Sequence, residues 1–172
     1  MTALITLAER ITNKSKISGE FTLRSGMKAA TYFDKYQFES DPVLLRDITI
    51  AMSKIMPTDI EVLAGLEMGG IPIVTQLSQI TGLHCAFVRK EAKSHGTCQY
   101  SEGASLLAKK VLLVEDVVSS GGAIIDFATR LREDGITIDR TICVLDRETG
   151  GYEKLREQGI ELISLFKQSD LE

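Results

Sequence analysis

The sequence has few cysteines, no excess of positive charge and no long apolar run. Its three cysteines form no CxxC pair, which argues against a disulfide framework or a zinc ribbon and is typical of reduced, cytoplasmic thiols. A net charge of −4 argues against a protein built mainly to coat nucleic acid. No apolar run approaches the roughly 20 residues of a membrane span, and Met1-Thr2-Ala3-Leu4 lacks the layout of a signal peptide. We therefore expect a cytoplasmic protein with neither nucleic acid nor membrane as a partner.

The length of 172 residues is that of one domain. Such a chain can bury about two thirds of its unfolded surface, so it needs no disulfide or metal to fold. We expect a single domain over 1–172, with an N-terminal helix and hood segment over 1–60 and an α/β core over 61–172.

Hydrophobic periodicity predicts alternating strands and helices in the core. The predicted strands are 61–65, 84–89, 111–114, 138–145 and 160–166, and the predicted helices are 70–80, 122–133 and 151–158. This alternation favours a parallel sheet with helices on both faces. The ligand site of such a sheet lies beyond the carboxyl ends of its strands.

The first 60 residues have a mixed pattern. The predicted elements are a helix over 2–12, strands over 20–24 and 31–36 around the turn Ser25-Gly26, and a helix from Asp41-Pro42 to about Ile55. Asp can cap that last helix and Pro fits its first turn. We expect this segment to cover the carboxyl edge of the sheet as a hood. In the core, residues 90–108 are polar and contain glycine, and they predict a long loop.

The segment 111–123 carries the clearest chemical signal. An apolar strand ends in Glu115 and Asp116, and a loop of small residues then opens a helix. The loop offers backbone N–H groups, two hydroxyls and two glycines at a helix N-terminus, an arrangement that suits phosphate. The paired acids suit sugar hydroxyls, Mg²⁺ or a developing positive charge. Phosphate beside a polyol beside acid describes a ribose 5-phosphate.

Other interpretations of this segment exist. A strand end with solvated acids and a glycine-rich turn is about as common for a generic strand-loop-helix unit. The chain has neither GxxxxGK[ST] nor GxGxxG. A response-regulator receiver has a similar acidic strand end, but only 56 residues follow Asp116, too few for that fold.

Residues 111–123 closely resemble the phosphoribosyl pyrophosphate (PRPP) fingerprint of type I phosphoribosyltransferases. Three further segments resemble those of the orotate-specific members. They are Phe21-Thr22-Leu23-Arg24-Ser25-Gly26 with Tyr32-Phe33-Asp34, then Arg89-Lys90-Glu91-Ala92-Lys93-Ser94-His95-Gly96, and then Asp146-Arg147-Glu148 with Gly150-Gly151. The matches run from about residue 20 to 151 in the family's order.

The resemblance implies where PRPP binds. Glu115 and Asp116 correspond to the residues that hold the ribose hydroxyls. The 5-phosphate loop is Val117, Val118, Ser119, Ser120, Gly121, Gly122 and Ala123. The residues implied to hold the pyrophosphate are Arg89, Lys90, Lys93 and His95. The pyrophosphate-side loop is Glu67, Met68, Gly69 and Gly70, where Gly69 replaces a lysine of enteric-type members.

The resemblance also implies the catalytic and base-binding residues. The catalytic set is Lys93, His95, Glu115 and Asp116. The orotate-binding set is Ser119, Arg147, Arg24, Tyr32 and Phe33. Tyr32 and Phe33 are candidates for stacking on the base, with packing of the hood as the alternative.

The implied reaction is Mg²⁺-dependent transfer of the phosphoribosyl group from PRPP to orotate, giving orotidine 5′-phosphate and pyrophosphate for pyrimidine nucleotide synthesis. Mg²⁺ is expected to be held mainly through PRPP and water, without a direct protein ligand. The implied assembly is a homodimer that shares the 90–108 loop across its interface. The alternatives are a type I phosphoribosyltransferase for another nucleobase and, in a different class, a PRPP-binding regulator.

Overall fold

The computed structural model describes residues 2–22, 26, 28–91 and 100–171. The N-terminal segment contains α1 (Thr2–Ser15), β1 (Lys16–Thr22), β2 (Lys28–Phe33), α2 (Tyr36–Glu39) and α3 (Pro42–Ser53). The core contains β3 (Val62–Leu66), α4 (Gly70–Thr81), β4 (His84–Val88), β5 (Ser101–Gly103), β6 (Val111–Val118), α5 (Gly122–Glu133), β7 (Arg140–Asp146), α6 (Gly151–Glu157) and β8 (Glu161–Lys167), followed by a short 3₁₀ turn at Gln168–Asp170.

The core strands form one six-stranded sheet in the order β5-β4-β3-β6-β7-β8. Every neighbouring pair is parallel except β4 and the edge strand β5. Buried side chains of α5 and α6 pack on one face, and those of α1 to α4 pack on the other. This is the predicted α/β architecture, with its central strands buried on both sides. No helix in the described part of the chain is long and apolar enough to cross a bilayer.

The N-terminal segment reaches the carboxyl end of the sheet, as the predicted hood requires. Its helix α2 is anchored by Phe38, which is fully buried. The residue before this helix, Lys35, forms an ion pair with Asp116 near the end of β6, with Nζ and Oδ2 2.6 Å apart. The hood therefore contacts the edge at which the sequence predicts the ligand site.

Several predicted boundaries differ from the observed ones, and three of the differences bear on the fold. In the hairpin, β1 begins at residue 16 and β2 at residue 28, earlier than the predicted 20 and 31, because β1 follows α1 without a loop and pairs with β2 from Lys16 onward. The predicted loop 90–108 contains the polar strand β5, which pairs with β4 without any apolar signal. The predicted strand 111–114 continues to Val118, because ladder pairing with β7 carries it past the two acids.

The amino edge of the sheet, opposite the hood, carries a network of ion pairs. Arg140 at the start of β7 holds Asp59 with two bonds of 2.7 and 3.1 Å, and Lys110 contacts the same carboxylate at 3.2 Å. These bonds lower the pKa of Asp59 despite a small opposing effect of desolvation. The network ties the segments that precede β3, β6 and β7 to one another.

The predicted cap of α3 is present. Asp41 accepts hydrogen bonds from the backbone N–H groups of Val43 and Leu44 at 3.1 and 3.0 Å, and Pro42 occupies the first turn. The opposite side of α3 buries Leu44, Ile48 and Met52. The cap therefore fixes the start of a helix that supports one face of the sheet.

Replacement of Asp41 by Ala should lower the melting temperature by about 2–4 °C, because two N–H groups lose their acceptor. Asp41→Asn keeps an acceptor oxygen for the cap but lacks the ion pair with Lys14. Its melting temperature should therefore fall clearly less than that of Asp41→Ala. Thermal unfolding followed by circular dichroism compares the three proteins. Equal losses in both variants would assign the effect to the ion pair instead of the cap.

Candidate active site

The loop between β6 and α5 lines a cavity of about 160 Å³. Its walls are Glu115, Val117, Val118, Ser119, Ser120, Gly121, Gly122, Ala123 and Ile124. Gly121 has a positive φ of 72°, a conformation that glycine adopts without steric cost. The predicted phosphate loop thus forms a concave surface at the N-terminus of a 12-residue helix.

The loop is held from below by α6. A Cβ atom built at Gly151 would lie 2.5 Å from the carbonyl oxygen of Ser119. This approach is closer than any side chain allows, so glycine is required there. The family resemblance includes Gly151 in the segment around Arg147, but the close packing that requires glycine at this position is seen only in the structure.

The two acids after the apolar part of β6 differ in their surroundings. Asp116 is fully buried and Glu115 is 8% exposed. The backbone N–H of Asp116 donates to Glu115 Oε1 at 2.9 Å, and Lys35 forms its ion pair with the other carboxylate. The solvated acids of the alternative interpretation are therefore excluded.

The two acids also differ in charge. Burial and the neighbouring Asp116 raise the pKa of Glu115 well above its usual range. Burial opposes ionisation of Asp116 as well, but hydrogen bonds from Glu115, Glu39 and Lys35 together lower its pKa. The surroundings thus favour the charged form of Asp116 and the neutral form of Glu115.

Lys35 and Glu39 were missed by the sequence analysis. They lie four residues apart at the two ends of α2, and both reach Asp116. Glu39 is 7% exposed, and burial together with contact with Asp116 raises its pKa to about 9. A lysine and a glutamate four residues apart usually lie on a solvated helix face. Nothing in the sequence distinguishes this buried pair from that common case.

Gly69 contacts the same carboxylate. A Cβ atom there would lie 1.6 Å from Asp116 Oδ2, so the departure from lysine in enteric-type members leaves room for the buried acid. The adjacent Gly70 packs as tightly on β6, where a Cβ atom would lie 2.2 Å from the carbonyl oxygen of Val114. The predicted pyrophosphate-side loop and the acid pair thus lie side by side.

Arg147 follows β7 and lies beside the phosphate loop. Its backbone N–H donates to the carbonyl of Val118 at 2.8 Å, and its guanidinium lies over the ring of Phe33 at 5.4 Å. Within the described residues, its buried Nε has no hydrogen-bond partner. A cation held on an aromatic ring with a free N–H is suited to a planar carboxylate.

The structure separates Tyr32 from this group. Its ring packs on Phe21 with centroids 5.5 Å apart, while the next residue, Phe33, packs on Arg147. Adjacent strand residues point to opposite faces, which explains the difference. Tyr32 thus packs within the hairpin, and Phe33 lies beside the predicted base-binding arginine.

The pyrophosphate residues are only partly described. The Arg89 backbone N–H donates to the carbonyl of Tyr100 at 2.7 Å, and the Lys90 N–H donates to Glu67 Oε1 at 3.1 Å. The second contact joins the start of the 90–108 segment to the pyrophosphate-side loop. Arg24, Lys93 and His95 lie outside the described residues.

Comparisons with known proteins agree with this geometry. The phosphoribosyl transferase domain family matches residues 36–162. The chain is 41% identical over 172 residues to an orotate phosphoribosyltransferase of a Nocardioides species, covering 100% of this chain and 96% of that protein. It is 41% identical to the orotate phosphoribosyltransferase of Methanocella arvoryzae, covering 89% of this chain and 87% of that protein.

A solved structure extends the agreement to the fold. The crystal structure of Mycobacterium tuberculosis orotate phosphoribosyltransferase in complex with Fe(III) dicitrate superimposes with a TM-score of 0.89 at 28% identity, covering 98% of each chain. Matches of this length and identity show that the chain belongs to the orotate phosphoribosyltransferase family.

Proposed function

We propose that this chain transfers the phosphoribosyl group of PRPP to orotate, and that the edge formed by Glu115, Asp116, the 117–123 loop and Arg147 carries the reaction. The observation that supports this most strongly is the cavity of the loop directly beside the buried acid pair. The concave loop suits the phosphate end of a ribose 5-phosphate, and the adjacent carboxylate suits the hydroxyls of its ribose ring.

The 117–123 loop receives the 5-phosphate. Its backbone N–H groups, the hydroxyls of Ser119 and Ser120 and the N-terminus of α5 all favour a dianion. Binding the phosphate at this point directs the ribose ring towards Glu115 and Asp116. The part of the substrate that does not react is thereby used to position the part that does.

The acid pair acts on the ribose. The bond between ribose C1 and the pyrophosphate oxygen breaks, and its electron pair leaves with pyrophosphate. N1 of orotate gives up its proton to solvent and forms the new bond to C1. The ribose develops positive charge between these two events, and an anionic Asp116 stabilises that charge. Glu115, whose pKa is raised by burial and by Asp116, lies beside Asp116 as the second proposed contact to the ribose hydroxyls.

Orotate is recognised through its carboxylate. Arg147 supplies a guanidinium whose Nε is unpaired among the described residues and whose Cζ lies 5.4 Å from the centre of the Phe33 ring. A charge-assisted pair of this kind distinguishes orotate from uracil, which lacks the carboxylate. Ser119, which belongs to the phosphate loop, and Arg24 are proposed to complete the base site.

The leaving pyrophosphate is held by cations. Arg89, Lys90, Lys93 and His95 are proposed to neutralise it, with the 67–70 loop beside them. The described residues contain no group of three or more His, Cys, Asp or Glu side chains that could hold a metal ion, and Asp116 is already paired with Lys35. Mg²⁺ is proposed to be carried by PRPP and water, where it would supply further charge neutralisation of the leaving group.

We also propose a single domain over 1–172 that works as a homodimer, with the 90–108 loop of one subunit reaching the site of its neighbour. Lys93 and His95 lie on that loop, whereas Asp116 is fixed in the sheet. This division of the site between two elements makes the assembly testable by complementation.

The reaction itself is tested with purified protein, PRPP, Mg²⁺ and a panel of bases, following pyrophosphate release. Orotate is the expected acceptor. A purine or uracil as the better acceptor would keep the protein a phosphoribosyltransferase and contradict the choice of base. PRPP binding without turnover of any base would favour the regulator.

Asp116→Asn should lower kcat by about 10²–10³-fold, because the amide keeps the shape of the side chain but loses its charge. Circular dichroism and thermal unfolding serve as the folding control, since Lys35 loses its buried partner. Near-normal turnover with an unchanged spectrum would contradict the ribose role of Asp116.

Arg147→Ala should raise the KM for orotate more than the KM for PRPP, because it removes the cation that pairs with the base carboxylate. Initial rates with each substrate varied in turn give both constants. If the KM for PRPP rises more than the KM for orotate, Arg147 binds the phosphoribosyl part of the substrate and not the base.

Refolding Lys93→Ala together with Asp116→Asn should restore activity if subunits share their loops. In a mixed dimer one site combines the intact loop of one chain with the intact acid of the other. Random pairing of equal amounts makes about half the dimers mixed, each with one good site, so recovery should approach about a quarter of wild type. No recovery, with mixed dimers demonstrated by tag pull-down, would refute the shared loop.

A further inference from the structure

Glu39 is a buried acid for which the mechanism above has no use. It ends helix α2 with a side chain that is 7% exposed. Among the described residues, no hydrogen-bond donor reaches its buried Oε1. A buried carboxylate without a donor or a cation is costly, so the group must either be protonated or find a partner.

The partner is the proposed catalytic acid. Lys35 pairs with Asp116, and Glu39 follows it by four residues, so the two side chains lie on the same face of α2. The buried carboxyl group of Glu39 therefore faces Asp116, in line with the effect of Asp116 on its pKa. Two ionised carboxylates in contact repel each other, whereas one proton between them makes a strong hydrogen bond. The contact therefore requires that one of the two groups carries a proton.

The position of Lys35 decides which group carries it. Its ammonium group lies 2.6 Å from Asp116 Oδ2 and holds that carboxylate in its charged form. The proton therefore belongs to Glu39, in line with its pKa of about 9. One residue at each end of α2 thus contacts Asp116: a cation at the start and a neutral acid at the end.

We infer that Glu39 is a positioning residue for this reaction: in its protonated form it donates a hydrogen bond to Asp116 and holds that carboxylate in the orientation that meets the ribose. This inference rests on the proposed function, since Asp116 is the group through which Glu39 acts. In this proposal Glu39 acts through Asp116 and not on the substrate.

The surrounding charges permit this role. Apart from Asp116, the charged groups that act most strongly on Glu39 are Lys35 and Asp34 of its own segment. Helices α1 and α3 also pack against α2, and their nearby charges form the pairs Arg10–Asp47 and Lys14–Asp41.

Ionisation of Glu39 should impair the site. Above pH about 9 the group loses its proton and can no longer donate to Asp116. It then repels that carboxylate and competes with it for Lys35. Glutamine in the same place keeps an N–H donor at every pH.

The experiment compares Glu39→Ala and Glu39→Gln with wild type, and uses the exposed Glu157→Gln as the matched control. Glu39→Ala should lower kcat about tenfold with a smaller change in the KM for orotate, and Glu39→Gln should recover most of that loss. The ratio of kcat in Glu39→Gln to kcat in wild type should rise between pH 7 and 10. A ratio that does not change with pH, together with equal losses in Gln and Ala, would reduce Glu39 to packing and overturn the inference.

Thermal unfolding gives a second readout that does not depend on turnover. Between pH 4.5 and about 9 folded wild type holds a proton on Glu39 that the unfolded chain releases, so its stability falls as the pH rises. The melting temperature of Glu39→Gln minus that of wild type should therefore grow from pH 5 to 9, and the gap should shrink in an Asp116→Asn background. If the difference in melting temperature does not change with pH, the inference is overturned, whether or not the protein is active. If the difference grows with pH but the protein does not transfer phosphoribosyl to orotate, only the proposed function is contradicted.

Discussion

The buried carboxylate of Asp116 is the constraint around which this edge of the molecule is built. A charge without solvent has to be compensated by the protein, and two segments, the hood and the 67–70 loop, accommodate it. Lys35 supplies the opposite charge, Glu39 a neutral hydrogen-bonding partner, and Gly69 the space that any side chain would occupy. The hood, the 67–70 loop and strand β6 therefore meet at the Asp116 carboxylate, and contacts there help to hold all three in place.

This arrangement gives the N-terminal segment a chemical role besides covering the sheet. Phe38 anchors α2 in the core, and the two ends of the helix then reach Asp116. Phe33, a few residues earlier, supports the guanidinium of Arg147. The same short stretch of chain thus sets the charge of the proposed ribose site and the orientation of the proposed base site.

Most of the core could be predicted from the sequence, because it depends on local patterns. Strand β6, the phosphate loop and α5 lie in one continuous segment, and apolar runs bounded by glycine mark the other strands. The edge strand β5 could not be predicted, since its residues are polar and only pairing with β4 makes them a strand. The sequence predicted the same base-stacking role for Tyr32 and Phe33. As neighbours in a strand they point to opposite faces, where they contact Phe21 and Arg147 respectively. The roles of Lys35 and Glu39 depend on a contact across nearly 80 residues of chain, and no local pattern encodes it.

The close packing of Gly151 beneath Ser119 couples two parts of the site that differ in purpose. Ser119 belongs to the loop for phosphate, and Gly151 starts the helix that follows the base-binding strand end. Any side chain at 151 would displace the Ser119 carbonyl, so a redesign of base specificity that rebuilds the 147–151 turn would also deform the phosphate loop. An engineer who wishes to change the acceptor base of this scaffold therefore has freedom at Arg147 and Phe33, but has to leave the glycine behind them untouched.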